Sequence, residues 1–88
     1  MAYKIRIFGR VQGVGFRWNT KRKAMILGIN GWVRNLPDGS VEVLADGKHP
    51  YIDEFIEFLK KGPELAEVKE VRIEEVDEEV SPGFEITY

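Results

Sequence analysis

The loop "GRVQGVGFR", Gly9–Arg17, holds the residues of this sequence that are best suited to chemistry. Gly13 and Gly15 stand two positions apart, and Arg17 follows Phe16. Glycine reaches backbone conformations in which successive N–H groups point to one centre, and such a nest binds anions. A helix beginning near Phe16 adds its free N-terminal amides, and the planar guanidinium of Arg17 matches two phosphoryl oxygens. The loop predicts a phosphoryl site; the alternative is a tight strand–helix connection whose glycines serve packing alone.

A second candidate is Asn35, which ends "GWVRN" and precedes the turn "LPDG". Asparagine does not act as a base at neutral pH, but its carbonyl oxygen accepts a hydrogen bond from water and its amide donates to phosphate. Phosphoryl transfer depends mainly on positioning and charge stabilisation, so a side chain that holds a water in line is useful there. The alternative role for Asn35 is that of a turn former.

Two common phosphate motifs are excluded. No Gly-Lys-Ser/Thr occurs, so the loop is not a P-loop. Trp18 stands where the dinucleotide pattern needs its third glycine. The sequence also contains no cysteine, which excludes thiolate metal sites and cysteine-based phosphatase chemistry.

The elements that must position these residues follow from periodicity. Alternation predicts strands at "YKIRIF", "GWVRN", "SVEVLA", "VKEVRIEEV" and "FEITY". "FRWNTKRKAMIL" predicts a first helix that ends at Gly28, and Pro50 fits the first position of a second helix. The apolar face of that second helix is Ile52, Phe55, Ile56 and Leu59. "VKEVRIEEV" is charged enough to be an edge strand, and its alternation breaks at Glu75–Val76, which predicts a bulge or its end.

This order, βαββαβ with a short C-terminal strand, predicts an α+β fold: a ferredoxin-like sandwich with an antiparallel sheet and two helices on one face. Residues 1–88 are expected to form one domain. In a split βαβ unit the first two strands are parallel, with another strand between them. Their C-terminal ends lie about 10 Å apart at one edge. The glycine loop and Asn35 are therefore expected to face one site.

Charge is distributed unevenly along the chain. Residues 1–37 carry eight Lys/Arg and no acid, whereas residues 38–88 carry five Lys/Arg and fifteen Asp/Glu, so the segments have net charges of +8 and −10. One interpretation is an anionic ligand for the basic segment; the other is attraction between the two segments. Abundant Lys, Arg and Glu beside a single Gln is also typical of heat-tolerant proteins.

The block "GRVQGVGFR" followed by "GWVRNLPDGSVEV" closely resembles the acylphosphatase family, and the resemblance extends to the terminal "FEITY". It implies the same sandwich fold and hydrolysis of carboxyl-phosphate bonds. By this resemblance Arg17 binds phosphate, Asn35 positions the water, and the loop residues Gln12, Gly13, Val14, Gly15 and Phe16 form the phosphate cradle. Asn19 departs from the aromatic residue expected there.

The same domain also occurs as a module of larger carbamoyl-transfer proteins, but a chain ending at Tyr88 favours the free-standing enzyme. The leaving group of an acyl phosphate is a carboxylate, which departs as an anion, so neither a general acid nor a metal is required. We therefore expect no cofactor. His49 is expected to have a structural or solvent-exposed role. Trp18 and Trp32 are expected to pack at the core or rim, and the alternative for either is that it lines the pocket.

Two rival functions remain open at this stage. Ferredoxin-like sheets that bear aromatic residues bind single-stranded RNA, although the pI of about 5.4 and the absence of an aromatic stripe argue against it. The second rival is a regulatory domain that binds a phosphate-bearing effector. We expect a cytoplasmic monomer that acts on a small molecule, with no nucleic acid or membrane partner; we also expect neither a leader peptide nor a membrane-spanning segment.

Overall fold

A computed structural model describes residues 1–88 as five strands and two helices. The elements are β1 (Ala2–Arg10), α1 (Phe16–Leu27), β2 (Gly31–Asn35), β3 (Val41–Asp46), α2 (Ile52–Lys61), β4 (Glu67–Val76) and β5 (Phe84–Thr87). One sheet contains all five strands in the order β4-β1-β3-β2-β5. The predicted βαββαβ order with a C-terminal strand is confirmed.

The direction of β5 corrects one expectation. The pairs β4–β1, β1–β3 and β3–β2 are antiparallel as predicted, but β5 pairs in parallel with β2, so the sheet is mixed. The physical reason lies in the chain path. Because β4 runs antiparallel to β1, it finishes at the end of the sheet where β2 begins. Residues 77–83 cross that end of the sheet from β4 to the outer side of β2. β5 must then run in the direction of β2, and both strands end at the same edge as β1.

Alternation along the strands builds the core. Ile5 and Ile7 of β1 and Val41 and Val43 of β3 point to the helices and are fully buried. From α2, Phe55 meets Phe84 of β5 edge to face, with ring centroids 5.8 Å apart. Such a pair contributes about 0.5–1.5 kcal/mol beyond its buried area. The two helices contact each other as well as the sheet, so both lie on one face.

Helix α1 has the predicted bounds, and Phe16, Thr20 and Ala24 form its buried side. Helix α2 begins at Ile52, two residues later than Pro50 predicts. His49 accounts for the delay, because its Nδ1 accepts the N–H of Tyr51 at 3.0 Å and its carbonyl accepts the N–H of Ile52 at 3.1 Å. These bonds close a turn in the place of a first helical turn.

Strand β4 lies at a sheet edge, as its charge predicts. It ends at Val76, which fits the break in alternation there. The register shift of the β1–β4 pair lies at the opposite end, between Phe8 and Gly9. A side chain at Gly9 would meet the backbone oxygen of Glu67, so the irregularity accompanies a close approach of two backbones. Neither helix is long and apolar enough to cross a bilayer.

Candidate active site

The loop between β1 and α1 has the left-handed backbone that its glycines predict. Gly13 has φ 75° and Gly15 has φ 77°. A Cβ built on Gly13 would meet nothing within 4 Å, so packing does not explain a glycine there. The backbone conformation does, because residues with a Cβ are strained at these angles. A steric reason for Gly13 is therefore excluded, and its left-handed backbone suits both an anion nest and a tight strand–helix connection.

The amides of this loop are free. No protein group accepts a hydrogen bond from the backbone N–H of residues 12–18. The next amide, that of Asn19, donates to the carbonyl of Gly15 at 3.0 Å, and the Nδ2 of Asn19 donates to the same oxygen at 2.8 Å. No acid lies in the first turn of α1 and no side chain caps it. The helix dipole and the open amides together give this end of α1 a positive potential.

A cleft of about 180 Å³ opens beside these amides. It brings together Gly13, Gly15, Phe16, Arg17 and Asn35, the residues that the sequence predicted would face one site. Val11, Trp18, Ile86 and Tyr88 complete its lining. The guanidinium of Arg17 makes no ion pair and lies 5.0 Å from the ring centroid of Tyr88. The cleft thus contains an uncompensated cation next to free N–H donors.

Asn35 presents a polar atom with no protein partner. Its Oδ1 is buried and receives no hydrogen bond. A buried acceptor without a partner costs about 1–3 kcal/mol, so native proteins rarely retain one without a function. The neighbouring turn does not use this side chain. There, Asp38 Oδ1 accepts the N–H of Ser40 at 2.9 Å and its Oγ–H at 2.5 Å. The turn-former alternative is therefore wrong for the Asn35 side chain.

Near the cleft, the side-chain carboxyl group of Asp38 has a shifted pKa. The hydroxyl of Ser40, and then its backbone N–H, lower the pKa of Asp38 below its ordinary value of 3.8. The carboxylate is therefore held ionised by the turn that follows Asn35. Asp38 does not line the cleft, so the shift concerns the turn and not the site.

Two predicted cradle residues have side chains directed elsewhere. Gln12 Nε2 donates to the carbonyls of Leu36 at 2.8 Å and Ser40 at 2.9 Å, and so fastens the loop to the β2–β3 turn. Val14 packs against the core. Only the backbone N–H groups of these two residues are available to a ligand, and the sequence did not indicate the structural role of the Gln12 side chain.

Several lining residues were missed by the sequence. Tyr88 and Ile86 reach the cleft only because β5 runs parallel to β2. The alternation of "FEITY" places Phe84, Ile86 and Tyr88 on one face, but no local sequence pattern indicates which strand lies next to β5. Trp18, expected to pack at the core or rim, borders the cleft with 60% of its surface exposed.

His49 and Trp32 lie outside the cleft, as expected. His49 Nε2 is close to Gly28, at the opposite end of α1 from Arg17. Trp32 lies on the open face of the sheet, under the guanidinium of Arg34 at 4.9 Å. No group of three or more His, Cys, Asp or Glu side chains has the geometry of a metal site.

The interpretation of the charge asymmetry as attraction between the two segments is confirmed in part. Ion pairs join the basic and acidic segments: Lys4–Glu78 at 3.0 Å, Lys23–Glu54 at 3.3 Å, Arg34–Glu42 at 2.7 Å and Arg6–Glu42 at 3.5 Å. Arg17 is in none of them. Attraction between the segments therefore accounts for much of the charge pattern, and the cation at the cleft is left for another partner.

Comparison with known proteins agrees with this geometry. The sequence matches the family described as "Acylphosphatase" over residues 3–86. An acylphosphatase of Acaryochloris marina is 49% identical over 94% of this chain and 89% of its own length. One from Thermococcus kodakarensis is 46% identical over 93% of this chain and 90% of its own. The chain belongs to the acylphosphatase family.

Solved structures of acylphosphatases have the same fold. The crystal structure of acylphosphatase from Bacillus subtilis superposes with a TM-score of 0.90 at 36% identity, covering 99% of this chain and 98% of that one. The resemblance drawn from "GRVQGVGFR" and "GWVRNLPDGSVEV" is thereby confirmed, as is the ferredoxin-like sandwich. Membership of the acylphosphatase family makes this protein an enzyme that hydrolyses acyl phosphates.

Proposed function

We propose that the protein hydrolyses acyl phosphates to a carboxylate and inorganic phosphate by direct in-line attack of a water molecule in the Arg17–Asn35 cleft. The observation that carries the mechanism is the unpartnered, buried Oδ1 of Asn35 in the same cleft as the unpaired guanidinium of Arg17. One group is free to accept a hydrogen bond from water, and the other is free to donate to an anion.

The phosphoryl group of the substrate binds to the loop between β1 and α1. The backbone N–H groups of Gln12, Gly13, Val14, Gly15 and Phe16 form the cradle, and Arg17 donates to the same oxygens. Hydrogen bonds to a charged group contribute about 1.5–3 kcal/mol each, more than neutral ones. The amides are fixed before substrate binds, because the Asn19 side chain donates a hydrogen bond to the Gly15 carbonyl and the Gln12 side chain attaches the loop to the β2–β3 turn. This preorganisation favours the transition state, in which charge is spread over the phosphoryl oxygens.

Asn35 positions the nucleophile. Its Oδ1 accepts a hydrogen bond from the water and its Nδ2 donates to a phosphoryl oxygen, so the water lies opposite the leaving group. The water oxygen forms a bond to phosphorus while the bond between phosphorus and the acyl oxygen breaks. The electron pair of that bond leaves on the carboxylate, and the proton of the water passes to the phosphate product. A carboxylate is the anion of an acid with a pKa of about 4, so its departure needs no proton donor.

Release of phosphate from benzoyl phosphate by the purified chain tests this function. We expect turnover that is the same with and without EDTA, because no step uses a metal. Absence of turnover would leave phosphate binding alone, and the protein would then be a module that binds a phosphate-bearing effector. Loss of activity with EDTA would contradict the metal-independent mechanism.

We further propose that the protein acts as a cytoplasmic monomer on small molecules and not on RNA. The pI of about 5.4 supports this, because RNA binding depends on basic surfaces. The aromatic rings of the open sheet face are also covered. Arg72 lies 4.7 Å from the ring centroid of Phe8, and Arg34 covers Trp32. A base could stack on these rings only after displacing the arginines.

A further inference from the structure

The outer side of α1 carries a shallow apolar groove, here called the α1 groove, formed by Trp18, Arg22, Met25 and Ile26. These residues are spaced i, i+4, i+7 and i+8 and share one side of the helix. The exposed fractions are 60% for Trp18, 63% for Met25 and 68% for Ile26. The solvent-exposed face of a surface helix is normally polar. Three large apolar side chains in one exposed row therefore indicate a binding surface.

The α1 groove is continuous with the cleft. Trp18 lines both, so the two depressions share a wall. The cleft measures about 180 Å³ and the groove about 350 Å³. Small-molecule pockets usually measure roughly 300–1,000 Å³, so the cleft alone is small for more than a phosphoryl group and its attacking water. Most of the acyl part of a substrate must therefore lie outside the cleft, and the groove begins at its rim.

We propose that the α1 groove binds the acyl moiety of the substrate and that this moiety is a long apolar chain. The proposal rests on the function proposed above for the cleft. The indole of Trp18, the thioether of Met25 and the side chain of Ile26 offer a continuous apolar surface, and the aliphatic stem of Arg22 extends it. No acid lines the groove.

The length of the groove sets the length of the chain. Trp18 and Ile26 are eight positions apart, which is about 12 Å along a helix. An extended acyl chain of roughly ten carbons, with C–C bonds of about 1.5 Å, covers that distance. Each methylene that moves from water into a fully apolar site strengthens binding by about fourfold. In an open groove the gain per methylene is about twofold. Short acyl phosphates such as acetyl phosphate gain nothing from it.

The test compares kcat/KM for acetyl, butanoyl, hexanoyl, octanoyl, decanoyl and tetradecanoyl phosphate, each kept below its micellar concentration. In the wild type we expect kcat/KM to rise about two- to fourfold per added methylene up to roughly decanoyl phosphate and then to level off. In the double variant Met25→Gln/Ile26→Gln, kcat/KM for acetyl phosphate stays unchanged and the rise with chain length is mostly lost. Leu65→Gln is the control, because Leu65 is 66% exposed but lies outside groove and cleft; this variant keeps the wild-type rise.

Other results overturn the proposal. If acetyl phosphate is hydrolysed but kcat/KM does not depend on chain length, or rises equally in the double variant, the groove does not bind the acyl chain. If the wild type sediments as a dimer and the double variant sediments as a monomer, the groove binds a second copy of the chain instead. If no acyl phosphate in the series is hydrolysed, the function proposed for the cleft is wrong and the groove proposal falls with it.

Discussion

The guanidinium of Arg17 lies 5.0 Å from the ring centroid of Tyr88, the last residue of the chain. Arg17 belongs to the first turn of α1 and Tyr88 follows β5, so the contact joins two segments that are distant in sequence. The guanidinium lies over the face of the ring, which takes none of its N–H donors. Tyr88 is itself 97% exposed, and the donors of Arg17 remain available to an anion.

Replacing Tyr88 tests the value of this contact. A cation–π pair at an exposed site contributes about 0.5–1 kcal/mol, so Tyr88→Ala should raise KM for benzoyl phosphate by about two- to fivefold. Tyr88→Phe keeps the ring face and should behave as the wild type. Steady-state kinetics of the three proteins would decide the matter, and an equal KM for Tyr88→Ala and wild type would show that the ring does not orient Arg17.

Arg17→Gln should reduce kcat/KM by roughly a hundredfold or more, since it removes the one uncompensated cation of the cleft. The fold should survive, because the guanidinium makes no ion pair. Circular dichroism and the melting temperature check that point. Lys21→Gln changes the net charge of α1 equally and is the matched control; a comparable loss in that variant would assign the effect to general charge rather than to Arg17.

Asn35→Ala should separate binding from turnover. We expect kcat to fall by roughly a hundredfold, because the placement of water is lost. Inhibition by inorganic phosphate should weaken much less, since only the hydrogen bond from Nδ2 is lost and the loop amides and Arg17 still bind the anion. The same change removes a buried acceptor without a partner, so thermal stability should be equal to or slightly above that of the wild type. A variant with full kcat would remove Asn35 from the mechanism.

Gln12→Ala should destabilise the protein although Gln12 is not a lining residue of the cleft. The change removes two hydrogen bonds, to the carbonyls of Leu36 and Ser40, each of which contributes about 0.5–1.5 kcal/mol; both carbonyls keep a backbone N–H partner. A thermal melt should show a Tm lower by roughly 5 °C or more. Activity should fall as well, because the loop loses its attachment to the turn after Asn35. Gln12→Glu should be no better, since a carboxylate cannot donate to these carbonyls.

The turn itself predicts a pH dependence of stability. The pKa of Asp38 is lowered in the folded protein, so its contribution is complete above 3.8 and is lost as pH falls through the lower folded value. Ser40→Ala removes the main cause of the shift. Thermal melts should therefore show wild type above Ser40→Ala at neutral pH, with the gap narrowing below about pH 3.8. A constant gap at all pH values would refute this linkage.

Local patterns in the amino-acid sequence predicted much of the geometry of the site. Gly13 and Gly15 predicted a left-handed loop because the constraint acts within single residues. Periods of 2 and 3.6 placed α1 and the strands, and the split βαβ order placed the ends of β1 and β2 at one edge. Arg17 and Asn35 could therefore be assigned to one cleft before their side chains were seen.

Other parts depended on contacts that no local pattern encodes. The start of α2 was placed two residues too early because a turn, closed by hydrogen bonds from the amides of Tyr51 and Ile52 to His49, precedes the helix. The parallel pairing of β5 followed from the path of residues 77–83 around the sheet. The sequence did not indicate that the Gln12 side chain would bond carbonyls 24 and 28 positions away.

The sequence by itself determined the order of the elements, the left-handed glycine loop and the placement of Arg17 and Asn35 beside one cleft, since backbone propensity and periodicity act over a few residues. Only the tertiary structure decided that Tyr88 lies under Arg17, that the Asn35 Oδ1 remains without a partner, and that Trp18 joins the cleft to an exposed apolar row. These features depend on which distant groups come into contact and which do not, and packing of the whole chain settles that.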